Sequence, residues 1–149
     1  MARFTFKLQP VLNVRKQQED NIKNKFGKAV RKLEAEKQKL AELVDTLDVI
    51  VDEFNDKTRK TTVQKLILYN GYLSLLGTKI KRQKVNVNKA SLNVDKIREE
   101  LIFAMKERKI MEKLKEKKYE MYLDDLKAAE QKTNDDLAGY MYINGIAGE

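Results

Sequence analysis

The sequence of 149 residues contains no cysteine, no histidine, no tryptophan and only one proline. Without cysteine, the chain can form neither disulfide bonds nor thiolate metal sites. Without histidine or cysteine, it also lacks the commonest general base and a thiol nucleophile. The two serines, Ser74 and Ser91, have no evident base, and no glycine-rich phosphate-binding loop is present. We therefore expect no enzymatic activity, no cofactor, no metal site and no small-molecule substrate.

Turn-forming residues and long apolar runs are also scarce. Between Val11 and Asn70 the only glycine or proline is Gly27, although compact domains need both residue types at their turns. No apolar run approaches the roughly 20 residues of a membrane span. The N-terminus also lacks the apolar core of a signal peptide. These absences predict long uninterrupted helices in a soluble, cytoplasmic protein.

The charge is distributed unevenly along the chain, whose net charge is +8. Residues 61–118 carry 15 basic and 6 acidic side chains, whereas residues 119–149 carry 2 and 7. No acidic residue lies between Asp56 and Asp95, although this stretch contains nine lysines and arginines. The asymmetry predicts an acidic partner for the middle of the chain.

Apolar residues recur at alternating intervals of three and four, the repeat of a coiled-coil seam. The first seam runs from Leu8 to Phe54 and is interrupted only by Arg15, Glu19 and Glu36. Arg15 and Glu19 lie four residues apart. They are expected either to pair with each other or to pair with the opposite helix and fix its register.

A second seam runs from Leu73 to Met111. Two seams of similar length in one chain predict an all-α fold, a long antiparallel two-helix coiled-coil hairpin. Parallel pairing of two chains is the alternative arrangement.

The turn of this hairpin is predicted between the two seams. The first seam lapses at Lys57–Val63, and Asn70–Tyr72 contains an Asn-Gly pair, a strong turn signal. A short helix is expected between these two breaks. We predict one coiled-coil domain over residues 1–149, consisting of a first arm over about 8–56, a hairpin region over about 57–72, a second arm over about 73–138, and a tail over 139–149.

The segment Lys65–Lys84 holds more apolar residues than one seam can bury. If Leu76 belongs to the seam, then Tyr69 and Tyr72 must find other surroundings. Either the short helix packs back over them, or they stay exposed as anchors for another protein. In the second case, the surrounding lysines would steer an acidic surface toward them.

Two short patterns occur near the ends of the chain. The first has aromatic residues two apart, then leucines, an arginine and a glutamate: Phe4, Phe6, Leu8, Leu12, Arg15 and Glu19. The second has Glu-Gln-Lys, then an acidic pair and alanine: Glu130, Gln131, Lys132, Asp135, Asp136 and Ala138. Both patterns and the length resemble the FliJ family of flagellar type III export components. The tail beyond Ala138 departs from the basic ending usual in that family.

The resemblance implies a coiled coil similar to the central stalk of rotary ATP synthases. It implies association with the hexameric export ATPase, FliI, and contact with the membrane export gate, FlhA, with export chaperones as further candidate partners. It places gate binding at Tyr72 and Leu76, with Tyr69 beside them. Candidate contacts to the ATPase ring lie in the N-terminal pattern, at Phe4, Phe6, Leu8 and Arg15. The protein would work in the cytoplasm at the inner face of the membrane, at the flagellar base.

Several alternatives stay open at this point. Phe4 and Phe6 are expected to pack against the second helix near Tyr119 or Leu123, or else to dock into the ring. A nucleic-acid-binding coiled coil is an alternative because of the acid-free basic stretch. The sequence has no motif for reading nucleic acid, however, and we expect no nucleic acid as a partner. A generic scaffolding coiled coil is another alternative. The related virulence-secretion stalk proteins are a further possibility within the favoured class.

Overall fold

A computed structural model describes residues 3–57 and 62–147. In this part of the chain it contains two α-helices and no strand: α1 (Gln9–Lys57) with 49 residues and α2 (Val63–Ala147) with 85. The predicted all-α two-helix coiled-coil hairpin is confirmed. The chain divides into two compact units. We call Glu19–Ala104 the hairpin unit, and Met1–Gln18 with Met105–Glu149 the terminal unit.

In the hairpin unit, α1 and α2 run antiparallel. Gln83 Nε2 donates a hydrogen bond to the backbone carbonyl of Glu36 at 2.9 Å. The ring centroids of Phe54 and Tyr69 lie 5.8 Å apart. The partner's residue number thus falls along α2 as the number rises along α1, which defines an antiparallel pair.

Burial in the hairpin unit follows the predicted seams. Every seam residue of α1 from Glu19 to Phe54 is buried or half-buried, and the other α1 residues there are exposed apart from Gly27 and Val30. The seam of α2 is likewise buried or half-buried from Leu73 onward. The centre of this core consists of Ala29, Val94 and Ile97, packed against Ile22, Phe26, Val30 and Leu33. The 3.5-residue repeat predicted this packing because it keeps one narrow face turned toward the partner helix.

A polar pair interrupts the apolar core of the hairpin unit. Glu36 and Gln83 both occupy seam positions, and Gln83 Nε2 donates to the Glu36 carboxylate as well as to its backbone carbonyl. Lys39 Nζ lies 3.9 Å from the same carboxylate. Because the two seam residues satisfy each other, the pair favours one register of the two helices.

In the terminal unit, a short non-helical segment precedes α1. The Gln9 amide donates to the Phe6 carbonyl at 3.1 Å, which turns the chain into the helix. Pro10 lies in the first turn of α1, where a backbone N–H needs no helical partner. The turn buries Phe6 at 8% exposure, and Leu12 is buried at 1%.

Two predicted details of the hairpin region differ from the structure. The predicted second break at Asn70–Tyr72 is wrong, because α2 continues through it without a separate short helix. Leu73 on one side is a half-buried seam residue, and Tyr69 on the other, which was predicted to lie outside the seam, is half-buried against Phe54. Tertiary packing therefore outweighs the roughly 1 kcal/mol that a helical glycine costs. At the predicted break Lys57–Val63, α1 ends and α2 begins, whereas residues 58–61 lie outside the described residues.

Two further expectations are resolved in the terminal unit. Arg15 Nη2 lies 3.3 Å from Glu107 Oε2 of α2, which is the predicted alternative of an ion pair with the opposite helix. The predicted tail after residue 138 is not a separate segment, since α2 continues to Ala147.

Candidate functional site

The predicted gate-binding residues lie in three different environments. Tyr72 is 43% exposed. Tyr69 is half-buried, with its ring edge-on to Phe54. Leu76 is 3% exposed, as its seam position requires, so its side chain is not available for direct contact in this structure. Only Tyr72 presents a large apolar surface to solvent.

Other exposed apolar residues surround Tyr72 in sequence. We call this set the turn patch; its members are Ile67, Leu68, Tyr72 and Leu75. The prediction that a separate short helix covers these side chains is wrong, because the same continuous helix α2 carries all of them. Exposed apolar clusters of this kind mark interaction sites in soluble proteins. The turn patch is therefore a candidate binding site.

Positive charge follows the turn patch along α2. In the part of the chain that the structure describes, no lysine or arginine from Lys65 to Lys89 takes part in an ion pair. The sequence explains this, because no acid lies three or four residues away from any of them. The charge of this segment is thus left for an external anion.

The predicted ring-binding residues belong to the terminal unit. The centroid of the Phe4 ring lies 5.1 Å from that of Tyr119 and 5.5 Å from that of Tyr122. These contacts confirm the predicted packing of Phe4 against the second helix. Phe6 is buried in the unit, and Arg15 is ion-paired with Glu107 of α2, so neither side chain is free for another contact.

Leu8 is the most exposed apolar member of the N-terminal pattern, at 41%. Beside it lies an open cleft of about 620 Å³ between the segment Arg3–Leu8 and α2. Met121 and Tyr122 line the α2 side of this cleft. The cleft is mostly apolar and offers a place where another protein could insert a side chain.

A second exposed apolar region, which was not predicted from the sequence, lies in the C-terminal part of α2. Residues 127–145 of α2 are all exposed, and this stretch ends in large apolar side chains: Leu137, Tyr140, Met141, Tyr142 and Ile143. The signal was present, because no charged residue occurs between Asp136 and Glu149. Within residues 3–57 and 62–147, no helix carries an apolar stretch long enough to span a bilayer.

The model of the family described as Flagellar FliJ protein matches residues 4–146. The chain belongs to the FliJ family. It is therefore a protein associated with type III export, in a family of non-catalytic structural and chaperone proteins.

A solved structure described as a putative YscO homologue from Chlamydia trachomatis is also similar to this FliJ-family chain. The two are 25% identical, and the alignment covers 93% of this chain and 94% of that one with a TM-score of 0.47. No curated protein matches.

Proposed function

We propose that this FliJ-family protein is a coiled-coil stalk that links the export ATPase ring to the membrane export gate and assists substrate export. Its place of action would be the cytoplasm at the inner face of the membrane, at the flagellar base. Membership of the family and the two-helix hairpin support this proposal. Such a role requires surfaces that bind other proteins and requires no catalysed reaction.

The observation that carries the gate contact is the exposure of the turn patch. Tyr72 and its neighbours Leu68 and Leu75 are exposed at 43%, 72% and 50% on a continuous helix. Aromatic side chains in such patches are common anchors of protein interfaces. Tyr69 would hold the neighbouring part of α2 in place for Tyr72 through its ring contact with Phe54 of α1. Leu76 would act indirectly, by holding this part of α2 against α1.

The terminal unit would bind the ATPase ring. Leu8 and the cleft beside it supply exposed apolar surface for this contact. Phe4, Phe6 and Arg15 would contribute by fixing the N-terminal segment on α2, because their own side chains are engaged within the unit.

Replacing Tyr72 with alanine tests the gate contact. We expect Tyr72→Ala to weaken binding to the cytoplasmic part of the gate protein at least about tenfold, because an exposed aromatic anchor is lost. Affinity is measured with purified proteins, and the helical content is checked by circular dichroism. Tyr140→Ala is a matched control, since Tyr140 is also an exposed tyrosine of α2 but lies outside the turn patch. Equal affinities of the two variants and the wild type would rule the assignment out.

Copurification with the export ATPase tests the proposed role of the terminal unit. A complex with the ATPase hexamer, lost on removal of Arg3–Leu8, would support the role of the terminal unit. Failure of the full chain to bind the ATPase would contradict the proposal as a whole.

A further inference from the structure

One flank of α2 in the hairpin unit has a regular composition. The residues immediately before successive seam residues follow the same four-three spacing and therefore lie on one flank of the helix. From the turn outward they begin with the apolar Leu68, Tyr72 and Leu75, all exposed. The positions that follow hold the cations Lys79, Arg82 and Lys89 and the amides Asn86 and Asn93, also all exposed. We call the flank from Leu68 to Asn93 the basic face.

The opposite flank of the same helix differs. Its apolar content there is limited to Ile67, and it ends at an acidic residue, Asp95, which pairs with Arg98 at 3.1 Å. It nevertheless carries two exposed lysines, Lys81 and Lys84. The basic face is thus distinguished by the order of an apolar end followed by cations, rather than by positive charge alone.

The basic face also borders a cleft between the two helices. Asn86, Lys89 and Asn93 line one side of an open cleft of about 430 Å³, and Ala29, Lys32 and Glu36 of α1 line the other. The Glu36 carboxylate is engaged by Gln83 and Lys39. Small side chains between two packed helices leave room for a third to approach closely. The two lysines that face the cleft have no ion-pair partner among the described residues.

We infer that the basic face is the docking surface for an acidic amphipathic helix of a partner protein. Apolar residues of the incoming helix would cover Leu68, Tyr72 and Leu75. Its carboxylates would pair with Lys79, Arg82 and Lys89, and its backbone would lie along the cleft at Ala29. The inference rests on the proposed function only in sharing Tyr72, and it specifies the chemistry of the partner at that end.

The composition of the basic face favours a helix over a nucleic acid. A nucleic acid would neutralise the cations on both flanks equally and would leave the exposed leucines uncovered. A helix matches the four-three spacing and uses both the apolar and the charged parts of one flank. Charge complementarity with an acidic helix is local, because no acid lies between Asp56 and Asp95 in the sequence and the Glu36 carboxylate at the cleft is already engaged by Gln83 and Lys39.

Charge reversal on each flank provides a matched test in the full-length chain. The probe is a synthetic amphipathic peptide of about three heptads, with leucine and isoleucine at seam positions and glutamate elsewhere. The double variant Lys79→Glu with Arg82→Glu changes the basic face. The double variant Lys81→Glu with Lys84→Glu changes the opposite flank by the same net charge. Affinity is measured by fluorescence anisotropy, with a lysine version of the peptide and a DNA duplex as competitors.

We expect the basic-face variant to lose at least about tenfold in affinity for the acidic peptide, because both lost contacts are charge pairs at the interface. The opposite-flank variant should lose less than about threefold, since it changes only the long-range field. Equal losses in both variants would overturn the inference. Preferential binding of the DNA duplex, weakened equally by both variants, would assign the charge to nucleic acid and also overturn it.

A fluorescent label tests whether the peptide reaches the cleft. The chain has no native cysteine, so Lys32→Cys and Asn88→Cys each give a single labelling site. A spectral change at position 32 but not at 88 is expected, and the reverse pattern would contradict the docking side.

These outcomes are independent of the gate experiment. If Tyr72→Ala leaves gate binding unchanged while the flank variants behave as expected, the gate assignment fails and the basic face stands.

Discussion

The hairpin unit and the terminal unit hold α1 against α2 by different means. In the hairpin unit, burial is spread along two regular seams, and most seam residues of α1 are only half-buried. In the terminal unit, contact is concentrated in a few side chains, above all Leu12 and the rings around Phe4. A distributed seam loses little when one member is shortened, whereas a concentrated contact depends on each member. The comparison predicts that the largest effect of a single substitution occurs at the most concentrated contact, Leu12 of the terminal unit.

Leu12 is expected to give the largest effect on stability. It is the one large side chain in the described part of the chain that is fully buried. Leu12→Ala removes its buried methyl groups and leaves a cavity, so the free energy of unfolding should fall by about 2–5 kcal/mol if unfolding is cooperative. Urea denaturation followed by circular dichroism measures this change.

Leu8→Ala is the matched control, because Leu8 precedes Leu12 by one helical turn and is 41% exposed. It should change the free energy of unfolding by no more than about 0.5 kcal/mol. Hydrogen exchange then shows where the loss occurs. Amides of the terminal unit should lose protection in Leu12→Ala before those of the hairpin unit. Uniform loss in both units would contradict the division between a concentrated and a distributed core.

The polar pair Gln83–Glu36 is expected to give the next largest effect. Gln83→Ala removes the donor to a Glu36 side chain that is only 14% exposed. An insufficiently bonded, largely buried carboxylate should lower the free energy of unfolding by about 1–3 kcal/mol. Gln38→Ala is the control, because Gln38 is an exposed glutamine of α1.

A double replacement separates stability from register at this pair. Glu36→Leu with Gln83→Leu removes both polar groups, so stability should equal or exceed that of the wild type. The helix register should become less uniform, since a polar seam pair specifies register. Disulfide crosslinking between cysteines introduced on α1 and α2 measures the register. A single unchanged crosslink pattern in the double variant would show that the apolar seam alone fixes the pairing.

The sequence predicted the hairpin unit well because its packing is periodic. Alternating steps of three and four residues identified the seam members of α1 up to Phe54 and of α2 from Leu73, and the burial pattern agrees. The prediction from the sequence was wrong at Asn70 and Gly71, where a local turn signal suggested a break in the helix. Helix continuity there depends on tertiary packing of the neighbouring seam residues, which local propensity does not report.

The candidate site could be predicted only in part for the same reason. Its seam position predicted that Leu76 would be buried, whereas the family resemblance suggested that it contacts a partner. The structure places Leu76 in the core. The apolar end of the basic face was visible as an excess of apolar residues. Its alignment with the cleft at Ala29 was not, because the axial register between two helices does not follow from the seam pattern of either.

Phe4 provides the smallest of these expected effects and the sharpest test of the terminal unit. Its ring is half-buried and lies edge-on to Tyr119. Phe4→Ala should therefore lower the free energy of unfolding by about 1–2 kcal/mol, less than a fully buried phenylalanine would. Phe103→Ala is the control, since Phe103 is 64% exposed on α2. Near-ultraviolet circular dichroism should change in the Phe4 variant alone, because its ring orders tyrosines in a chain without tryptophan. An unchanged tyrosine signal, or equal destabilisation by both variants, would mean that the aromatic contact does not hold the N-terminal segment on α2.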